Sequence, residues 1–490
     1  MVFSSLYFIF IFLPGVTALY FAAKKICPNK IIVRNIILCL CSLFFYAWGE
    51  PAYILLMLLS ILCNFFFAKS RSKTIFILAI IFNLIFLFFF KYLGFLVENL
   101  NKILSALSQQ TTQTSQTLQI KVPQLKLPIG ISFYTFQALS YIIDVHRKKV
   151  EPQKNLISLA LYISLFPQLI AGPIVRYSDI EKALAQRNDD FASLIKGLKD
   201  FMIGLGCKVI LANNLALVAD RFLDSPSDSC TAILWLSALC YAFQIYFDFA
   251  GYSRMAIGLG KMYGFDFPEN FNHPYCASSI TDFWRRWHIT LSGWFRDYVY
   301  IPLGGNKVNI IRHIRNILIT WLFTGFWHGA SWNFILWGLY YALLLIFEKY
   351  TVLKVIKRLE LMPTENKSRR LLIPLKFAVR FAALFLILFG WILFRTVDLS
   401  NLGIILQKMF TSDGIVLSAF VSQNADTCSK LIFLIPAVIC SLPIYKKIFV
   451  KSDESTIVQN LELVWAFIVF SVSVCLLVAS TYNPFIYFRF

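Results

Sequence analysis

Two stretches of this sequence set groups capable of acid–base chemistry in strongly apolar surroundings. In "TWLFTGFWHGASWNF", Thr320 to Phe334, His328 is the one histidine of a run from Ile317 to Phe347 that carries no formally charged side chain. At about 1.5 Å per helical residue, the eleven steps from Ile317 place it about 16 Å along, close to the middle of a hydrocarbon core roughly 30 Å thick. An ionisable group at that depth is expensive and signals function by default. Two readings stay open: an imidazole bonded to a neighbouring helix carbonyl, or a neutral imidazole that accepts a proton as a general base. Gly325, Gly329, Ala330 and Ser331 leave room around it for close helix packing or a substrate. Trp327, Ser331 and Asn333 are the nearest candidate substrate contacts.

The second stretch, "FWRRWHITLSGWF", runs from Phe283 to Phe295. Placed on one helix at about 100° per residue, Arg285, His288, Ser292 and Arg296 share a face, while Phe283, Trp287 and Trp294 lie opposite. Such a segment is too short and too charged to span, so an interfacial or re-entrant helix facing a wet cavity is expected. One reading is a membrane anchor, with tryptophans at headgroup level and arginines snorkelling. The other is a site in which Arg285 and Arg296 attract a phosphate-bearing substrate, His288 takes part in the reaction, and Trp287 and Ser292 contact the ligand.

The remaining histidines are read more plainly. His146 and His313 stand beside basic residues on solvated cytoplasmic faces, and His273 lies in the loop "ENFNHPYC". No HxxH or HExxH spacing occurs, so no metal site is expected. "GLGKMYG", Gly258 to Gly264, fits neither the Walker nor the Rossmann glycine pattern. There is no GxSxG elbow. The 11 cysteines include no CxxC pair, and within apolar runs they read as small hydrophobes.

The elements that must position these groups are membrane helices. The chain has 490 residues, 58% hydrophobic and 15% charged, with mean hydropathy +0.67, outside the range of soluble domains. Apolar runs at 3–23, 31–48, 51–68, 74–90, 128–144, 155–172, 195–218, 231–258, 316–347, 372–394, 431–445 and 462–481 predict about eleven or twelve crossings. The expected fold is an all-α integral membrane bundle with interfacial or re-entrant helices and a central funnel. It forms one domain, with N-terminal helices and a polar loop over 1–126, a motif-bearing core over 127–347 and C-terminal helices over 348–490. The net charge of +20 lies in short clusters between apolar runs, without a nucleic-acid motif, and reads as positive-inside topology and attraction for anionic lipid. Lys24, Lys25, Lys69, Arg71 and the cluster at 354–370 are then cytoplasmic, and both termini extracytoplasmic. No cleaved signal peptide is expected.

Further blocks carry a resemblance: "LPIGISFYTFQALSYIIDV" (127–145), "FPQLIAGPIVR" (166–176), "FDFAGYSRMAIGLGKMYGF" (247–265), "NFNHPY", "DFWRRWHITLSGWFRDYVYIPLGG", "FWHGASWNFILWG", "GWILFR" (390–395) and the terminal "NPFIYFRF". Together they resemble the alginate O-acetyltransferase branch of the membrane-bound O-acyltransferases. The resemblance implies acyl transfer from cytoplasmic acetyl-CoA to an extracytoplasmic acceptor, with no resident cofactor, in a multi-pass protein of the cytoplasmic (inner) membrane. His328 matches the family's membrane histidine and His288 its second histidine. Ala250 and Arg254 depart from the frequent Ser and Asp of "DFSGYSD". The implied partners are an extracytoplasmic SGNH-type transferase and an envelope polysaccharide, peptidoglycan first and an alginate-like polymer next. D-alanyl transfer to a teichoic-acid-type polymer and non-enzymatic transport are the alternatives; the absence of internal repeats speaks against a transporter. In the tail, Phe485, Tyr487 and Phe490 form F-x-Y-x-x-F, and Tyr487 is either part of an interfacial belt or an acyl-accepting phenol.

Overall fold

The computed structural model describes residues 1–111, 119–123, 125–362, 370–411, 417–444, 456–480 and 482–484. All regular structure among these residues is helical. In chain order the helices that matter here are α1 (Phe8–Ile26), α2 (Ile31–Gly49), α3 (Ile54–Lys69), α4 (Lys73–Leu107), α5 (Ile131–His146), α6 (Leu156–Ser164), α7 (Phe191–Leu223), α8 (Thr231–Met262), α9 (Ile280–Arg286), α10 (Ile289–Phe295), α11 (Ile310–His328), α12 (Trp332–Phe347), α13 (Leu372–Arg395) and α14 (Val458–Ala479).

Seven of them, α1, α2, α4, α7, α8, α13 and α14, are long and apolar enough to cross a membrane, with α3 a shorter apolar helix. Among the described residues five of the twelve apolar runs are not matched by such a helix, and for two of them the cause is local. The run 155–172 is not one helix: α6 has nine residues, about 14 Å, and is followed by a four-residue helix at Phe166–Leu169 and then irregular chain through the left-handed Gly172. The run 316–347 breaks at Gly329, whose backbone is extended, and continues as a second helix from Trp332.

α11 and α12 therefore form a tight antiparallel hairpin. A Cβ on Gly325 would collide with the Phe334 carbonyl, and one on Gly338 with the Trp321 carbonyl, so the two axes approach as only small residues allow. α7 and α8 pack by the same device, with a Cβ on Gly204 lying 2.6 Å from Gly251 O. Aromatic rings fill the space between α9, α12 and α13, where Trp337, Tyr341 and Trp391 are fully buried. π-helical turns at Phe8–Phe12, Phe88–Tyr92, Cys207–Ala212, Arg296–Tyr300 and Glu348–Val352 interrupt or extend these helices; the first is wholly apolar. The other four carry a charged residue (Lys91, Lys208, Arg296, Lys349), and such register insertions re-aim side chains.

Candidate active site

The stretch 283–295 is not the single helix its periodicity predicts. α9 ends at Arg286, Trp287 is extended, and His288 takes the left-handed conformation (φ 42°, ψ 55°) before α10 begins. A non-glycine residue there is strained and persists only when its surroundings fix it. The fixing comes from a loop 18 positions earlier. Ile289 N–H donates to Asn270 O at 2.9 Å, and Asn272 N–H donates to Arg286 O at 2.9 Å, so the backbone groups released by the break find partners. At the start of α9, Glu348 accepts from the N–H groups of Ile280 and Thr281 at 2.6 and 2.9 Å, a carboxylate on the positive end of a helix.

The same loop sets the tautomer of His288. Asn270 Oδ1 accepts the Thr290 N–H at 3.3 Å and the Thr290 hydroxyl at 2.9 Å, while its amide nitrogen donates to Gly172 O at 3.3 Å. The oxygen 2.9 Å from His288 Nδ1 can only accept, so Nδ1 carries the proton and Nε2 keeps its lone pair. That Nε2 is buried and has no hydrogen-bond partner among the described residues, which suits a proton acceptor waiting for substrate. Ile174 N–H donates to Thr290 Oγ1 at 2.9 Å and ties the "AGPI" segment into the network.

Although the helix breaks, the four polar residues expected on one face still meet at one cavity, and Trp287, expected opposite them, turns to the same cavity. A cavity of about 370 Å³ is lined by Trp287, Arg285, His288, Ser292, Arg296 and His328. Arg285, Ser292 and Arg296 also border an adjoining cavity of about 530 Å³. Arg296 and Arg176 both pair with Asp297, at 2.7 Å each. Partial burial works against ionisation of Asp297, but these partners outweigh it and hold its carboxyl below the usual range.

His328 ends α11, with its ring inside an aromatic box: centroids of Trp327, Phe394 and Trp337 lie 4.9, 5.0 and 5.1 Å away. Its ring makes no hydrogen bond among the described residues, so the reading of a histidine bonded to a helix carbonyl does not hold there. His328 also borders a second cavity of about 360 Å³, with Trp327, Glu50, Lys91, Lys126 and Ser132. It is thus the residue shared by a basic cavity and a cavity at the Gly49–Pro51 turn.

Other expected contacts fall elsewhere. Asn333 is fully buried and its amide donates to Phe394 O at 2.9 Å. That braces α12 against α13, and Asn333 is not among the lining of either cavity at His328. Ser331 begins α12 without a side-chain cap bond and lines neither cavity. Tyr487 lies outside the described residues.

His313 corrects the expectation of a solvated face. It is buried and lines the basic cavity with Lys349. Lys349 Nζ, which can only donate, lies 3.1 Å from His313 Nε2, and the Tyr300 hydroxyl lies 2.8 Å from the same nitrogen. Nδ1 then carries the proton toward Tyr350 Oη at 2.5 Å. His146 is exposed, stacked on Phe76, and His273 sits in its loop with Nδ1 3.1 Å from Ser441 O. Asn270, Lys349 and Lys91 join the site without being expected from the sequence. For Asn270 the signal was present in "NFNHPY"; for Lys91 it was a charge ending a run free of charges from Thr74 to Phe90.

A family model described as MBOAT, membrane-bound O-acyltransferase family, matches residues 147–388. The chain is 39% identical to the probable alginate O-acetylase AlgI of Pseudomonas aeruginosa over 84% of its own length and 75% of that protein's. It is 32% identical to the peptidoglycan O-acetyltransferase of Helicobacter pylori over 100% of its length and 98% of the relative's. Similarity to the teichoic acid D-alanyltransferase of Bacillus subtilis, 33%, covers 45% of the chain and 60% of that protein.

Proposed function

We propose that this chain, which belongs to the membrane-bound O-acyltransferase family, transfers acetyl groups from acetyl-CoA through the membrane for O-acetylation of a cell-envelope polysaccharide. Peptidoglycan is the first acceptor we propose and an alginate-like polymer the second, in keeping with the two kinds of relative that match most of the chain. The D-alanyl alternative has support over less than half of it.

The observation that carries the reading is the position of His328 between two cavities. The cavity with Arg285, Arg296 and Lys349 suits the phosphates of the donor, and by the positive-inside rule it faces the cytoplasm of the inner membrane. The cavity with Glu50 and Lys126 receives the acceptor from outside. His328 takes the acceptor hydroxyl proton as its oxygen attacks the thioester carbonyl. The tetrahedral intermediate collapses, the C–S bond breaks, and the CoA thiolate leaves and takes up the proton. His288, through its Nε2 lone pair, orients the donor or shares the proton.

The acceptor that first receives the acetyl group is, in this reading, the Tyr487 phenol, from which an extracytoplasmic SGNH-type partner passes it to sugar. The approach to that tail is held in place: Asn483 bonds Ser4 and Asn213, Lys208 donates to Pro484 O, and Tyr482 donates to Asp220 at 2.5 Å. The test is the ester content of isolated envelope polymer, with the acetylated sugar identified by mass spectrometry, in cells carrying wild-type protein or His328→Ala. Wild-type ester content in the variant would end the reading.

A further inference from the structure

A lysine stands within the long apolar helix α4, where a charge is costly. Lys91 lies in the π-helical turn Phe88–Tyr92, and the turn brings both it and Tyr92 against the end of α11. Lys91 Nζ donates to Trp327 O at 2.5 Å and to Ser132 Oγ, of the "LPIGIS" motif, at 3.3 Å. The Tyr92 hydroxyl donates to Phe326 O at 2.7 Å.

These are the two carbonyls just before His328. In a continuing helix they would accept from the N–H groups of residues 330 and 331. The chain leaves helical geometry at Gly329, and no bond from residue 330 or 331 returns to them among the described residues. Carbonyls left open at a helix end demand donors, and a cation there also meets the negative end of the helix dipole.

We propose that Lys91 and Tyr92 form a C-cap supplied by another helix, which holds the last turn of α11 at a fixed height and rotation and so aims His328 between the two cavities. Lys91 is thus a positioning residue. It lines the Glu50 cavity beside His328, so its removal is felt where the acceptor arrives. The proposal rests on the reading of His328 as the reacting base.

The experiment uses the full chain in lipid nanodiscs with its partner and acetyl-CoA, comparing wild type with Lys91→Met, Lys91→Arg, Tyr92→Phe and His328→Ala. Lys91→Met should lower kcat by about ten- to a hundredfold, the scale of misplacing a reacting group by an ångström, with the donor KM unchanged within about twofold. Lys91→Arg, which retains a cationic donor, should recover most of the loss. Tyr92→Phe, which keeps the packing, should lower kcat less and serves if Lys91→Met does not fold. Hydrogen exchange of the amides over 325–331 should quicken in Lys91→Met and Tyr92→Phe while exchange within α8 stays as in wild type. Wild-type kcat in both Lys91→Met and Tyr92→Phe, or arginine no better than methionine with local exchange unchanged, overturns the cap. Activity retained in His328→Ala overturns the proposed function instead, and the exchange measurement then still decides whether the cap exists.

Discussion

Replacing Asn270 tests whether the tautomer of His288 matters to the reaction. Asn270 is buried and its oxygen is the acceptor for His288 Nδ1 at 2.9 Å, for Thr290 N–H at 3.3 Å and for the Thr290 hydroxyl at 2.9 Å. In Asn270→Ala those donors lose their acceptor. Leaving a buried donor unmatched costs about 1–3 kcal/mol; the Thr290 hydroxyl and the imidazole can turn elsewhere but the Thr290 N–H cannot, so stability should fall by at least about 1–3 kcal/mol. The imidazole is then free to turn and to exchange tautomers. Losing one orienting bond worth about 1–1.5 kcal/mol corresponds to roughly a tenfold fall in kcat. Asn270→Asp keeps the acceptor and surrenders only the donor to Gly172 O. It should retain kcat within about threefold, and the added carboxylate, by favouring the imidazolium, should move the acid limb of the pH–rate profile to higher pH. The assay is transfer of labelled acetyl from acetyl-CoA by purified protein with its partner, measured across pH. Wild-type kcat in Asn270→Ala would refute the reasoning, as would equal losses in the two variants with an unshifted profile.

Three further outcomes follow from the geometry. Arg285→Ala should raise the KM for acetyl-CoA about tenfold with little change in kcat, because phosphate recognition is ground-state binding; Arg296→Ala should act more weakly, since that guanidinium is mostly exposed and already paired with Asp297. Gly338→Ala should cost about 1–3 kcal/mol of stability by pushing α12 off Trp321, read as a lowered Tm together with reduced transfer. Tyr487→Phe should abolish polymer acetylation with the protein still folded, and an acetylated tyrosine should be detectable in wild type when the partner is absent; full activity in the variant would reduce the tail to an anchor.

Composition and run lengths were enough to show an all-helical membrane protein, and the spacing of Arg285, His288, Ser292 and Arg296 was enough to put them on one wall. Spacing could not reveal that the wall is bent at His288, because the bonds that bend it come from Asn270 and Asn272. His313 was misread for the same reason: its basic neighbours in sequence suggest solvent, but Tyr300, Lys349 and Tyr350 converge on it from other turns. Asn333 looked like a contact for substrate because it sits five residues from His328, yet a helix starts between them and turns its amide to α13. Lys91 is hard to see in the sequence because the carbonyl it serves, that of Trp327, lies 236 residues further along the chain. In each case a local pattern marks a polar group, and only the tertiary fold supplies its partner.

The central claim is that His328 borders both cavities and, by taking the acceptor's proton, lets the acetyl group pass from the donor in one to the acceptor in the other. It is tested most directly in proteoliposomes of uniform orientation, with labelled acetyl-CoA confined to the Arg285 side and the partner with a polysaccharide fragment on the opposite side. Wild-type protein should label the fragment across the membrane, and His328→Gln should do so about 10²- to 10⁴-fold more slowly. Labelling at the wild-type rate by His328→Gln, or labelling only when donor and acceptor share a side, would contradict it.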